Sequence, residues 1–297
     1  MVAEWAQQRE RGSMWLLRLM AVFSLNVGRR AGRVILYAIA AYFFLFAPRA
    51  RRASMVYLRR VLGRPPTARD RFRQVMAFAT TIHDRVYLLN DRFDLFDITV
   101  EGEEIMLERM RAGRGAFLVG AHLGSFEVTR ALGRRQPDLR VAMVAYEANA
   151  RKINSMLAAI NPALAGEIVP LGSAEAMLRV RALLDEGVFV GMLGDRTPGG
   201  EATEAVEFLG APARFPLGPM RLAALLQRQV ILMVGVYCGG NRYRVKFESI
   251  ADFSGVERKE REGAIRAAVA RYAGRLEDYC RQYPYNWFNF YDFWKLD

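Results

Sequence analysis

Ala116-Phe-Leu-Val-Gly-Ala-His-Leu-Gly-Ser-Phe-Glu127 is the stretch that decides how this chain of 297 residues is read. Ala116 to Gly120 is a short uncharged apolar run, the pattern of a strand buried on both faces. Gly124-Ser125 then reads as a turn opening a helix toward Leu132. A strand that ends in a polar turn and gives way to a helix is half of a βαβ unit, and the same rhythm recurs on both sides. β-rich runs are expected at 96–100, 140–146, 167–171, 187–192, 230–237 and 242–247. Helical stretches at 103–111, 150–160, 173–185 and 216–226 separate many of them, and a long helix at 257–281 precedes an aromatic tail. Cys238-Gly-Gly-Asn241 between two of the runs predicts an antiparallel hairpin. The fold class that follows is α/β, with a mixed central sheet flanked by helices.

His122 is one of only two histidines, which narrows the search for a base that works near neutral pH. It sits just past a predicted strand, on the carboxyl rim where open α/β sheets place their ligands. Glu127 follows five residues later, in the first turn of the predicted helix, where the positive helix end favours a carboxylate. A short loop can fold His122 back so that one ring nitrogen donates to Glu127. The other nitrogen is then free to take a proton from a hydroxyl or amine. Backbone N–H groups of Gly124, Ser125 and Phe126 could hold a developing oxyanion. His83, by contrast, lies within a predicted helix and reads as structural.

A second block, Gly187 to Arg196, again runs a strand into a polar rim. Asp195 and Arg196 could share an edge with His122, and Arg196 suits a phosphate on an acceptor or carrier. Phe208-Leu-Gly210 opens an apolar, turn-rich loop that could line an acyl channel. No Gly-x-Ser-x-Gly elbow, His-Glu-x-x-His zinc helix or Gly-Lys-Ser/Thr phosphate loop occurs. The chemistry needs no metal and no redox cofactor. Cys238 and Cys280 read as ordinary thiols of a reducing compartment.

Charge separates the first part of the chain from the rest. The net charge is +12, and residues 1–64 hold twelve arginines against only Glu4 and Glu10. These arginines lie beside strongly apolar sequence, which suits an anionic membrane surface and not a nucleic-acid groove. Residues 34–47 carry no charge. As a helix they would span about 21 Å, short of the roughly 30 Å of a bilayer core, so an interfacial or partly inserted helix is expected. Pro65-Pro66 breaks the helical run, and Thr67 is placed to cap the next helix. The expected organisation is a basic, apolar membrane-anchoring region at 1–66 and a catalytic α/β domain at 67–297.

The His122-x4-Glu127 pair after a strand, Gly194-Asp195-Arg196, Phe208-Leu-Gly210 and the arginine-flanked N-terminal helix occur in that order. In this the chain resembles the bacterial lipid A late acyltransferases, a branch of the lysophospholipid acyltransferase superfamily. The resemblance implies a fatty acyl donor carried as a thioester on acyl carrier protein or coenzyme A. It implies a lipid or glycolipid acceptor, and action at the cytoplasmic face of the inner membrane. It gives His122 the general-base role and Glu127 the orienting role, with Asp195 and Arg196 near the substrate. Two other readings stay open at this point: a lipid or thioester hydrolase, and a lipid-binding membrane protein whose site is not catalytic.

Overall fold

A computed structural model of the chain describes residues 14–129, 133, 136, 138–164, 168–196 and 200–295. Arg9, Arg11 and most of the predicted helix beyond Thr129 lie outside them. The chain enters through four helices, α1 (Met14–Val27), α2 (Arg29–Phe46), α3 (Pro48–Leu62) and α4 (Ala68–Leu88). Local chemistry sets their limits. Pro48 stands at the first position of α3, where its missing N–H costs nothing. Thr67 caps α4 through a reciprocal box: its hydroxyl accepts from the Asp70 N–H, and the Asp70 carboxylate accepts from the Thr67 N–H at 2.8 Å.

Strands β1 (Asp97–Glu101), β2 (Phe117–Gly120), β3 (Val141–Tyr146), β4 (Ile168–Leu171), β5 (Phe189–Leu193), β8 (Gln229–Gly239) and β9 (Arg242–Asp252) form one sheet in the order β1-β9-β8-β2-β5-β3-β4. Only β8 and β9 pair antiparallel, as the hairpin signal predicts; every other neighbour pair is parallel. Helices α5 (Glu103–Arg111), α6 (Glu147–Ile160), α7 (Ala174–Asp185), α8 (Gly218–Leu225) and α9 (Arg261–Gln282) pack around it. The architecture is the α/β mixed sheet flanked by helices that the sequence predicts. It adds a two-stranded antiparallel ribbon, β6 (Thr203–Glu207) with β7 (Pro212–Pro216), where the sequence reading places an irregular loop. Prolines at both ends of β7 mask the strand, and they are tolerated because the ribbon has no third strand to satisfy.

One correction concerns a helix. Among the described residues no α-helix starts at Ser125, and a 3₁₀ turn forms at Glu127–Thr129. The reason is local. The Gly124 N–H donates to the Asn286 carbonyl at 2.9 Å and the Ser125 N–H to the Gly235 carbonyl at 2.7 Å, so this segment pairs with strand and tail instead. The N-terminal helices meet the length expectation for residues 34–47. Among the described residues no single helix is long and apolar enough to cross a membrane. Helices α2 and α3 reach the required length only together, and they are bent by 92° where they meet.

The N-terminal helices are locked to the sheet. Arg29 makes a two-pronged ion pair with Asp84 of α4, at 2.7 and 2.8 Å, and its Nη2 also donates to the Gly240 carbonyl in the β8–β9 turn. Tyr243 of β9 donates to the same carboxylate at 2.8 Å. Asp84 is fully buried and the Arg29 side chain only 10% exposed. Beside this pair, α2 approaches α4 closely enough that a Cβ at Gly32 would overlap the imidazole of His83. His83 is buried, as a structural residue should be. Removing one partner strands the other charge in a dry interior, so Asp84→Ala is expected to cost about 3–5 kcal/mol. Denaturant unfolding of the purified protein in detergent checks this; a loss below about 1 kcal/mol would show that the clamp contributes little.

Candidate active site

Parallel pairing of β2 with β5 brings the two predicted blocks together. Gly120 pairs with Leu193 in register, so both strands end at one edge and His122 and Asp195 leave it side by side. Gly194 permits the approach: a Cβ there would collide with Val119 and crowd the Tyr272 ring. With no side chain in the way, the Gly194 N–H donates to the Gly120 carbonyl at 2.9 Å, and the Tyr272 hydroxyl donates to that same carbonyl at 2.7 Å.

His122 Nδ1 lies 2.9 Å from Asp195 Oδ1, and the His122 backbone N–H donates to Asp195 Oδ2 at 3.0 Å. A carboxylate only accepts, so Nδ1 carries the proton and Nε2 presents a lone pair. This is the orienting contact that the sequence reading assigns to Glu127. In the structure Glu127 turns elsewhere. Its Oε1 lies 2.7 Å from Arg85 Nε, an ion pair set at too sharp an angle to count as a hydrogen bond. Its Oε2 accepts from the Ser125 hydroxyl at 3.1 Å. Glu127 lies in the 3₁₀ turn Glu127–Thr129, which packs against α4. The carboxylate that orients His122 is therefore Asp195, 73 residues away in sequence and adjacent across the sheet.

Asp195 is buried, and burial by itself would push its carboxyl up. His122, the neighbouring Arg196 charge and a 2.8 Å hydrogen bond from the Asn289 amide outweigh burial and hold it down at about 2. Asp195 is thus an anion at any pH near neutrality. His122 is pushed below the ordinary histidine value, chiefly by burial; Asp195 opposes the shift, while Arg196 and Arg85 add to it. The imidazole keeps 29% of its side-chain surface exposed, which leaves a face open to a reactant. A neutral imidazole, fixed in tautomer by a buried anion and open on its far side, is equipped to remove a proton.

The remaining predicted residues take different places. Gly124 and Ser125 have their N–H groups bound to the tail and to β8, so neither can serve an oxyanion. Gly124 is needed for its backbone: φ is +72°, and a Cβ would overlap the Gly235 carbonyl. Phe126 packs on the core cluster of Phe189 and Met233. Phe208 is fully buried, with its ring against Phe215, Trp287, Phe293 and Trp294, and its carbonyl accepts from the Trp294 indole at 2.9 Å. With no exposed surface it anchors the aromatic tail and does not line a channel. Gly210, at φ +75°, makes the turn between β6 and β7. Arg196 joins the same tail: its Nε donates to Asn289 Oδ1 at 2.5 Å, Nη2 donates to the Phe288 carbonyl at 3.2 Å, and its guanidinium lies over the Tyr291 ring.

Sequence reading misses Arg85 and Asn289. Arg85 lay in a helix with no signal of its own. Asn289 could have been flagged as an amide amid Trp287, Phe288, Phe290 and Tyr291, because polar side chains in such runs are kept only when paired. Among the described residues no group of three His, Cys, Asp or Glu side chains could hold a metal ion.

With only two histidines, ¹³C-labelled imidazole NMR can follow His122 directly. It is expected to titrate below the ordinary value of about 6.5. Asp195→Asn should lower it further, because the anion that favours imidazolium is gone. An upward shift in Asp195→Asn would contradict the pairing.

A search of curated proteins finds no match to this chain. Over residues 7–296, however, the sequence matches the family described as bacterial lipid A biosynthesis acyltransferase. That span takes in the strand β2 exit, the β5 exit and the tail that closes over both. The chain with this oriented His122 therefore belongs to the bacterial lipid A biosynthesis acyltransferase family.

Proposed function

We propose that the protein transfers a fatty acyl group from a thioester donor, acyl carrier protein or coenzyme A, to a hydroxyl or amine of a lipid or glycolipid. The observation that carries this reading is the buried Asp195 anion bound to His122 Nδ1, in a chain of an acyltransferase family. His122 Nε2 takes the proton of the acceptor as it attacks the thioester carbonyl. The tetrahedral intermediate collapses, the C–S bond breaks, and imidazolium gives its proton to the departing thiolate, which leaves as the thiol. Asp195 holds the ring and stabilises the imidazolium that forms in between. Glu127 acts by fixing Arg85, whose positive charge contributes to keeping His122 neutral before the acceptor binds.

The acceptor is met at a membrane surface. Among the described residues, eleven of the fifteen large hydrophobic side chains that stand exposed are on α1 and α2, from Val22 to Phe46. Arg30 of α2 and Arg49, Arg51 and Arg52 of α3 lie in the same segment. An apolar face bordered by arginines binds the interface of an anionic bilayer. The 92° bend between α2 and α3 suits helices lying in one leaflet at its cytoplasmic face.

Lipid mass spectrometry in the native host tests the reaction, comparing a deletion strain that carries the wild-type gene with one that carries His122→Ala. One lipid is expected to gain the mass of a single acyl chain only with the wild type. Identical lipid profiles at equal protein levels would overturn acyl transfer by His122.

A further inference from the structure

We infer that Asn289, in the C-terminal aromatic tail, is a positioning residue that holds Asp195 in line with His122. The inference rests on the active-site reading above and extends it to a residue 94 positions from Asp195.

Asn289 is 2% exposed, and both ends of its amide are used. Nδ2 donates to Asp195 Oδ2 at 2.8 Å, while Oδ1 accepts from Arg196 Nε at 2.5 Å. The chemistry of the partners admits one orientation only. A carboxylate has nothing to donate and a guanidinium has nothing to accept with. Turning the amide over would set oxygen against oxygen and N–H against N–H, both in a buried site where such contacts are costly. The side chain is thus a polarised wedge between adjacent residues of opposite charge, which keeps Arg196 from closing on the carboxylate that His122 needs. Asp195 Oδ2 then receives the Asn289 amide and the His122 backbone N–H, while His122 Nδ1 lies 2.9 Å from Oδ1 and 3.1 Å from Oδ2.

The backbone around Asn289 fixes the wedge. The Phe288 N–H donates to the His122 carbonyl at 2.8 Å, Leu123 and Trp287 form a β-bridge, and the Trp287 carbonyl accepts from Gln74 of α4 at 2.6 Å. Trp287 is fully buried against Tyr57, Phe208 and Phe293. The tail therefore approaches the site with little freedom, and Asn289 delivers the last contact.

The charged groups that act on His122 are Asp195 and Arg196 from the β5 exit and Arg85 from α4; Tyr291 of the tail and Tyr272 of α9 face Asp195. Against this background Asn289→Asp replaces the donor with an isosteric carboxylate. It puts a second anion at the His122–Asp195 pair, so His122 should titrate higher, by about one pH unit. Asn289→Ala leaves Asp195 short of a donor and Arg196 short of an acceptor. Cells that rely on it should contain at least tenfold less acylated lipid at equal protein level.

The experiment uses the full chain in detergent micelles, labelled with ¹³C in its two histidines, with the His122→Asn spectrum identifying the His122 signal. Titration of wild type, Asn289→Asp and Asp195→Asn is read beside the acylated-lipid yield of the same variants in the deletion strain. An upward shift in Asn289→Asp with reduced yield and an unchanged melting temperature supports the role. A titration and yield equal to wild type in Asn289→Asp and Asn289→Ala, while Asp195→Asn loses both, would overturn it. If Asp195→Asn also keeps wild-type yield and titration, the active-site assignment itself falls, whatever Asn289 does.

Discussion

The contact between His122 Nδ1 and Asp195 depends on one constraint, the in-register parallel pairing of β2 with β5. Shifting that register by one residue would turn each side chain to the opposite face of the sheet. Gly120 and Gly194 pin the exits of the two strands: their backbones bond directly, and Tyr272 of α9 seals the joint from behind. Hydrogen bonds that belong to the fold thus fix the direction in which two functional side chains leave it. That arrangement costs no rotamer freedom at the moment of reaction, because the order was imposed when the sheet formed.

Two further segments depend on this edge. The aromatic tail lies across it, with Asn286 bonded both ways to Tyr237 of β8 and Asn289 bonded to Asp195. Helix α4 flanks it, and three consecutive residues of α4 face three neighbours. His83 meets Gly32 of α2, Asp84 holds Arg29, and Arg85 reaches Glu127. The helices that carry the exposed apolar surface and the turn that carries Glu127 are therefore fastened to one rigid element. A displacement of α2 would act on a buried ion pair, which resists it more strongly than packing alone.

How much of this is legible in the sequence depends on the range of the interaction involved. Strands β2, β5 and most of β8 are readable because strands buried on both faces are continuous apolar runs, β9 is readable from the hairpin turn before it, and the α4 start is readable because Thr67 is placed to cap it. The β6–β7 ribbon is hidden by Pro212 and Pro216, which speak against a strand unless the partner is known to be a lone ribbon. The helix start at Ser125 is a local inference defeated by distant partners, since Gly235 and Asn286 take the N–H groups that a helix start would leave free. Phe208 shows the same limit: its apolar neighbourhood is visible, but whether that neighbourhood faces a channel or a tail is decided 79 to 86 residues later, by Trp287 and Trp294.

Glu127 and Asp195 mark where spacing ceases to be a guide to pairing. His122 and Glu127 are close in sequence, and a carboxylate five residues from a histidine invites the shorter connection. Charge balance at the site selects the longer one. Two carboxylates and two arginines lie around His122, and each arginine has a tethering partner: Arg85 pairs with Glu127, and Asn289 separates Arg196 from Asp195. Had Arg85 been absent, Glu127 would be an unpaired, largely buried anion, and the imidazole would be its nearest remedy. With Arg85 present, Glu127 is satisfied without His122. Asp195, fully enclosed and kept ionised by His122, Arg196 and Asn289, is then the anion that a developing imidazolium meets. The arginine on α4, which gives no signal in the sequence, thus decides which of two candidate acids becomes the partner of the base.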